Sequence, residues 1–473
     1  MLLETDYLVV GAGASGLAFT DSLVDHSSHD VLLVDRRHGV GGHWLDTYPF
    51  VRLHQPSAHY GVASLTLGND AIDRHGPNAG LYECATGAEV VGYFSRVLTD
   101  RLLPTGRVLF LGLHDYVPGP DGAHRLVSRL TGETVEVTVR RKVVDTVYGE
   151  VTVPATHTPS FAVAPGVAMV PVGGLAAVRE PFDRYVVLGG GKTGIDAVLW
   201  LLDNGVPADR VTWVRPRDAW LLDRRSFQPL DLVWMSMEGF ALDLEAAAGA
   251  ESLPDLYRRL EERGRLLRVD PDVEPTLYRC ATVTETELAQ LRSVRDVVRL
   301  GRVVRIDPDE VVCAQGSVPG GPHLYVDCTA SGIVRRPPVP VFAPDRITVQ
   351  PVRQCAHTFN AALIGYVEAT RAADVAEQNR LCPANPYPEV PRDWARMLVA
   401  TMASYRRWLA TPDLAQWVDQ CRLNLFHGVS AHLDDPRLQQ AAARSGAALV
   451  PALTRLKELL AETETGSEPA VSR

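Results

Sequence analysis

The sequence predicts an α/β protein in which two βαβ units, far apart in the chain, precede a helical C-terminal segment. Three observations predict it. A short apolar run, Tyr7-Leu8-Val9-Val10, enters the turn GAGASG. A helical pattern from Leu17 to Asp25 follows, then a second apolar run, Val31 to Val34, closed by Asp35. The same order returns at Tyr185 to Leu188, GGGKTG, Ile195 to Asn204 and Val211 to Val214, with Gly205 placed to stop the helix. From Pro391 to Glu462 the apolar spacing is that of helices, and the tail 463–473 has the composition of a disordered end.

The remaining segments fit around these units. Arg125 to Val147 alternates apolar and polar residues about a Thr-Gly-Glu turn, which predicts strands, and Gly and Pro crowd 151–181 as at a domain crossing. Leu253 to Leu267 and Glu285 to Leu300 read as helices and Arg302 to Cys313 as strand, while YVDCTASGIVRRPP, from Tyr325, reads as a strand entering a glycine turn.

Composition excludes several classes of function. A chain of 473 residues, 46% hydrophobic, has ample sequence for two or three domains with a large core. With 57 Asp and Glu against 47 Lys and Arg its net charge is −10, which argues against a nucleic-acid partner. The opening MLLETDYLVV lacks the Lys or Arg of a signal peptide, and no run reaches the ~18 apolar residues of a membrane span. A soluble, cytoplasmic chain without membrane contact is expected, and a homodimer is compatible with it. The seven cysteines are odd in number and scattered, with no C-x-x-C and no Cys/His cluster at metal-ligand spacing. Reduced, mostly buried thiols are expected, no metal site, and no disulfide-reductase chemistry.

Gly11, Gly13 and Gly16 satisfy G-x-G-x-x-G between a strand and a helix. The first permits the tight turn, the second lets backbone approach a pyrophosphate, and the third lets helix pack on strand in a Rossmann-like unit. The helix N-terminus offers free N–H groups to phosphates, and the Asp35 carboxylate is placed to accept both hydroxyls of an adenosine ribose. Gly189, Gly191 and Gly194 repeat the physics, with Lys192 and Thr193 near the pyrophosphate. There the second strand ends in Arg215, which can clamp a 2′-phosphate where an acid would repel it, with Arg217 as support. The alternative is that Arg215, Arg217, Arg224 and Arg225 form a solvated cationic face.

Beyond Asp35 the chain runs RRHGVGGHWLDTYPFVRLHQPSAHYGV. An acid followed closely by Gly-Gly-x-Trp, then Tyr-Pro and Arg, resembles the FAD site of the NADPH-dependent flavin monooxygenases, which include flavin-containing and Baeyer–Villiger monooxygenases. The resemblance covers roughly 1–60, 180–220 and 320–370. It implies FAD beside Gly11, Gly13, Gly16, Asp35, Arg36, Gly41, Gly42 and Trp44, and a polar side chain, Gln55, near the reactive edge of the flavin. Arg52, Gln55 and His54 are the catalytic candidates. Arg52 beside a flavin would favour the anionic reduced ring. Ordinary loop packing is the alternative for Trp44, a surface position for Arg52, and hydrogen-bonded structural roles for His54 and His59. Asp327 to Gly332, with Thr329, is similar to the family's late Ala-Thr-Gly return strand, and Phe359 to Gly365 reads as the start of a helix aimed at the flavin or, with equal weight, as a core helix.

One departure stands out. Between the domains this family carries Phe-x-Gly-x-x-x-His-x-x-x-Tyr or Phe, whereas this chain has Phe161-Ala-Val-Ala-Pro165-Gly166 and no histidine between His157 and His323.

The expected domains are 1–180 for FAD, 181–322 for NADPH, and 323–473 for the FAD return segment with the C-terminal helices. FAD and NADPH in one chain imply hydride transfer from nicotinamide to flavin, and without C-x-x-C, haem or iron–sulfur ligands dioxygen is the natural acceptor. The expected activity is a monooxygenase that transfers one oxygen atom to a small molecule through a flavin C4a-hydroperoxide. Heteroatom oxidation is favoured over Baeyer–Villiger insertion because His54 stands where the latter enzymes usually carry aspartate. The alternatives are a dehydrogenase or reductase without oxygen transfer, and a non-catalytic nucleotide-binding protein. Substrate contacts are expected from 221–240, 277–284 and the C-terminal helices.

Overall fold

A computed structural model describes residues 2–119, 122–149, 151–330 and 332–465. Two sheets organise the chain. In the first, Leu2–Val10 lies in the middle because it is apolar where it is covered on both faces. It pairs in parallel with Val31–Val34 on one side and Thr134–Asp145 on the other, and Val108–Leu111 extends the sheet beyond Val31–Val34. His114–Pro118 and His124–Ser128 fold back as an antiparallel meander on the first half of Thr134–Asp145. The second half is paired in parallel by Arg346–Thr348, so a strand from late in the chain completes the sheet that the N-terminus begins.

The helix Ala14–Asp25 is enclosed almost all round, with Gly16 through Val24 all buried. It is covered on its outer side by the helix His357–Arg371. A Cβ on Gly365 would stand 2.5 Å from the Phe19 carbonyl oxygen, so glycine there lets the two helices approach closely. Of the polar groups buried on this helix, Asp21 finds a partner, both its oxygens accepting hydrogen bonds from Ser64, whereas the hydroxyls of Thr20 and Ser22 have none among the described residues. Burial pushes the Asp21 carboxyl up to about 6.

The second sheet is wholly parallel, in the order Asp296–Val298, Val211–Val214, Tyr185–Leu188, Leu324–Asp327, Ala168–Pro171. Two of its strands lie across the boundaries expected at 180 and 322, because a parallel strand must enter from the far end and the connecting segments supply that crossover. The expected helices at 253–267 and 285–300 are shorter. Each stops and gives way to a strand, Leu253–Glu262 before Leu266–Leu267 and Glu285–Ser293 before Asp296–Val298. Gly264, at φ +66°, takes the left-handed position that ends the first of them. Residues 302–313 form a hairpin, Val303–Ile306 with Glu310–Cys313, rather than one strand.

A third layer is helical. Val233–Ala248 packs along Pro436–Thr465, and Arg444 fixes the pair by bonding both Glu238 and Glu245 at 2.7 to 2.8 Å. The last helix runs through Thr465, past the start of the expected disordered tail. Residues 466–473 lie outside the described ones. Of the seven cysteines expected to be reduced, Cys84, Cys313, Cys328, Cys382 and Cys421 are free and buried, but Cys280 and Cys355 form a disulfide across 75 residues. Spacing along the sequence carries no trace of it, because the fold alone brings the strand Leu277–Val283 beside the turn that precedes His357.

Candidate functional site

Both glycine turns open on one cavity of about 1100 Å³. In each, a carbonyl closes the turn against the helix. A Cβ on Gly16 would lie 1.9 Å from the Gly11 oxygen, and one on Gly194 would lie 2.0 Å from the Gly189 oxygen. Gly11 and Gly189 themselves sit at φ +102° and +123°. The middle glycines differ. Gly191 has no atom within 4 Å of its missing side chain, and Gly13 faces only the Cα of Gly42, at 3.5 Å. The fold therefore needs the outer glycines, and the middle ones leave open floor. The first helical bonds run from Leu17 N–H to Gly13 and from Ile195 N–H to Gly191, so the amides of Ala14, Ser15 and Gly16, and of Lys192, Thr193 and Gly194, precede each ladder, and of these residues all but Gly194 line the cavity.

The acid at the end of the second strand first serves the turn. Asp35, buried on the cavity wall, accepts the Ala12 N–H at 2.7 Å and the Arg37 N–H at 2.8 Å, which leaves each oxygen a further lone pair. Arg36 lies exposed at the mouth. Gly42 begins the short turn that carries Trp44. The indole N–H of Trp44 donates to the Tyr60 hydroxyl at 2.7 Å, so the ring is fixed in the wall rather than loose in a loop.

Arg52, His54 and Gln55 all reach the cavity. Arg52 is largely exposed and donates to the Cys84 carbonyl at 3.1 Å. Gln55 is half-buried. His54 is anchored: its Nδ1 accepts the Thr282 N–H at 3.0 Å, and its carbonyl accepts from Arg224 Nε at 3.0 Å and from the Thr282 hydroxyl. Burial, with Lys192 and Arg224 nearby, drives its imidazole down to about 3. His59 is likewise driven to about 3 by burial, and neither ring nitrogen has a partner among the described residues.

In the second unit Thr193 and Gly191 line the cavity as expected, and Lys192 reaches it while pairing with Asp196. Arg215 corrects the sequence expectation. Its guanidinium stacks on Trp213, 4.5 Å from the ring, pairs with Asp218 three residues on, and is only 3% exposed. It is absent from the cavity wall, where Arg217 stands instead. An acid at the third following position takes the first arginine, and the second is left to face the opening.

Thr329 lies on the wall with its hydroxyl 2.6 Å from Asp327 and 3.3 Å from His157 Nε2; the neighbouring Ser331 is outside the described residues. His157 is a residue that sequence reasoning passed over. It precedes the window compared with the family pattern, and it stands four residues before Phe161, the spacing of that pattern's second half, while Val151 and Val153 occupy the places of its Phe and Gly. Both His157 and Phe161 line the cavity. The helix expected from Phe359 starts at His357. Its first turn meets the cavity, Phe359 points into the core, and His357 bonds the Tyr387 hydroxyl.

Residues 9–71 match the model of the NAD(P)-binding Rossmann-like domain. The polycyclic ketone monooxygenase of the fungus Thermothelomyces thermophila superposes with a TM-score of 0.52 at 13% identity, over 94% of this chain and 88% of that one, so the two share a fold. The uncharacterized protein Rv2000 of Mycobacterium tuberculosis and Mb2023 of Mycobacterium bovis are each 48% identical over 426 residues, 90% of this chain and 78% of theirs. The chain belongs to the family of these mycobacterial proteins and has the two-sheet fold of the flavin monooxygenases.

Proposed function

We propose that this chain is an FAD- and NADPH-dependent monooxygenase acting on a small molecule. The observation that carries the reading is the convergence of two dinucleotide turns on one cavity that continues into a chamber lined by Phe240, Met402, Leu425 and Phe426. The sites fit their groups: open amides at both helix starts, bare floor at Gly191, and the backbone of Gly42 against Gly13. Gly11 to Gly16, Asp35 and Arg36 hold the adenosine and pyrophosphate of FAD, with Gly42, Trp44, Gln55 and Thr329 around its ring. Gly189 to Gly194, Thr193 and Arg217 hold NADPH. The first sheet with its return strand is then the FAD domain and the second the NADPH domain. When bound, FAD would supply a carrier for the hydride of NADPH and the means of activating dioxygen.

The chain's own residues position and shield. Trp44 is locked by Tyr60, Arg52 sets positive charge at the opening between the two turns, and the apolar chamber excludes water. No carboxylate stands at position 54, and the braced, neutral imidazole there favours oxidation of a nitrogen or sulfur centre over insertion beside a ketone. The test is anaerobic reduction with NADPH and with NADH, followed by reoxidation under 18-O-labelled dioxygen with candidate amines and sulfides. Faster reduction by NADPH and one labelled oxygen per product molecule are expected. A protein that takes up no FAD, or that returns all electrons as peroxide with every substrate class, overturns the reading.

A second reading, hydride transfer without oxygenation, is favoured by the Cys280–Cys355 disulfide in the cavity wall, a two-electron acceptor where the sequence offered none. Anaerobic titration separates the two. Flavin alone consumes one equivalent of NADPH, whereas flavin and disulfide together consume two and free two further thiols.

A further inference from the structure

The cavity wall holds a buried cation with no counter-charge among the described residues. Arg353 is 1% exposed, and no Asp or Glu among the described residues lies within ion-pair distance of it. Its guanidinium is held between Phe359 and Tyr405, 4.7 and 5.0 Å from the ring centres, and Nη1 donates to Asn424 Oδ1 at 2.8 Å. Among the described residues Nε has no hydrogen-bond partner and Nη2 forms no bond. Other buried arginines of this chain are compensated: Arg215 by Asp218, and Arg265 by a two-point pair with Asp243 at 2.8 and 2.9 Å. An isolated guanidinium taken out of water is costly, and a chain retains one where something else supplies the charge.

Its surroundings say what that something is. The Arg353 side chain meets Tyr405 of the helix Pro391–Leu409 and Asn424 on one side and Phe359 on the other. The wall there is Thr401, Met402, Tyr405, Leu423 and Phe426. His59 reaches the same cavity, buried and neutral with both ring nitrogens unpartnered, and Arg353 is among the charges that hold it neutral. One unpaired guanidinium edge, one spare imidazole N–H and an apolar wall make a receptor for an anionic head on an apolar body.

We propose that Arg353, with His59 as second donor, binds the carboxylate of a small organic acid whose apolar body carries the nitrogen or sulfur centre to be oxidised, which is the substrate class of the site. The identification as substrate rests on the monooxygenase reading; the binding site itself does not.

The test uses the purified, FAD-loaded protein and pairs of probes: benzoate with benzamide, phenylacetate with phenylacetamide, cinnamate with cinnamamide, and octanoate with octanamide. Binding is read by thermal shift and by fluorescence quenching. At least one acid is expected to bind tenfold or more tightly than its amide. Arg353→Met is expected to abolish that preference, to keep full flavin content, and to melt at or above the wild-type temperature, because it removes an unpaired buried charge. Arg353→Lys, which keeps the charge, is expected to retain part of the preference and guards against a methionine variant that fails to fold. Equal binding of every acid and amide, or a preference that survives Arg353→Met, overturns the proposal. So does loss of flavin from a folded Arg353→Met protein, since the guanidinium would then serve the cofactor. Acid binding without oxygen transfer to any bound acid that also carries a sulfide or amine, such as 4-(methylthio)benzoate, leaves this site standing and refutes the monooxygenase reading alone.

Discussion

The two kinds of glycine in each turn make opposite demands, and one pair of variants separates them. In Gly194→Ala the new Cβ meets the Gly189 oxygen at 2.0 Å, where ordinary contact begins at 3.4 Å. Helix and turn must therefore part by about 1.4 Å, and no flexible side chain can absorb the movement. Overpacking of this kind costs about 3 kcal/mol at its upper range. The same oxygen accepts the indole N–H of buried Trp213 at 2.8 Å, and losing that bond adds about 1 kcal/mol. Alanine's better helix propensity returns about 1 kcal/mol. The balance is a destabilisation of about 3 kcal/mol. Gly191→Ala is different: φ −84° and ψ −176° suit any residue, and the Cβ enters empty space. Its stability is expected to stay within about 0.5 kcal/mol of wild type, while a methyl group on the phosphate floor weakens NADPH at least tenfold, or about 1.4 kcal/mol. Urea midpoints followed by tryptophan fluorescence, and NADPH affinity by flavin-reduction kinetics, give the two readouts. Unchanged NADPH affinity in Gly191→Ala, or an unchanged urea midpoint in Gly194→Ala, refutes the division of labour drawn between these positions.

Other perturbations follow the same logic. Denatured without reductant, the protein is expected to titrate five thiols, and seven after reduction, as the Cys280–Cys355 bond requires. Asp218→Ala, which strands Arg215 in the core, is expected to cost about 3–5 kcal/mol in urea unfolding. Arg217→Ala is expected to leave unfolding unchanged and to cut the preference for NADPH over NADH about tenfold. Burial holds the imidazoles of His54 and His59 down at about 3 and those of His43 and His357 at about 4. The unfolded chain binds these protons near pH 6.5 and the folded chain does not, so stability is lost as pH falls below that value. The slope is at most about 1.4 kcal/mol per pH unit for each histidine, and His59→Phe should flatten it in unfolding measured from pH 7 to 5.

How far the sequence could be read depended on whether a residue's role is local. The glycine turns were legible because a tight turn, a close carbonyl and a helix start are all demands within six residues, and they recur in the structure at both places. The return strand at 324–327 and the helix from 357 were legible for the same reason. Arg215 departs from the expectation of a phosphate clamp because Asp218, three residues on, pairs with it in the core and leaves Arg217 at the cavity. His157 was legible but outside the window compared, and its spacing to Phe161 was the signal. The disulfide, Arg353 and the His357–Tyr387 contact were not legible at all. Each joins segments that only the packing of the C-terminal layer on the two sheets brings together.

The catalytic candidates on residues 48–55 owe their placement to such non-local ties. The Tyr48 hydroxyl donates to Asp196 on the second glycine helix at 2.5 Å, and Lys192 on that helix pairs with the same aspartate and reaches the Arg52 carbonyl at 3.4 Å. On the other side Arg224 and Thr282 hold the His54 carbonyl and ring. The loop that follows the first unit is thus fastened to two elements of the second region, one the helix Lys192–Asp203 and the other the strand that carries Cys280. Lys192 stands at the crossing. Its ammonium is shared between a carboxylate and a carbonyl beside the open floor at Gly191, so a phosphate seated there competes with both acceptors for the same cation. The position of Arg52, exposed and held by a backbone contact rather than by an ion pair among the described residues, is the part of the site that such competition reaches first.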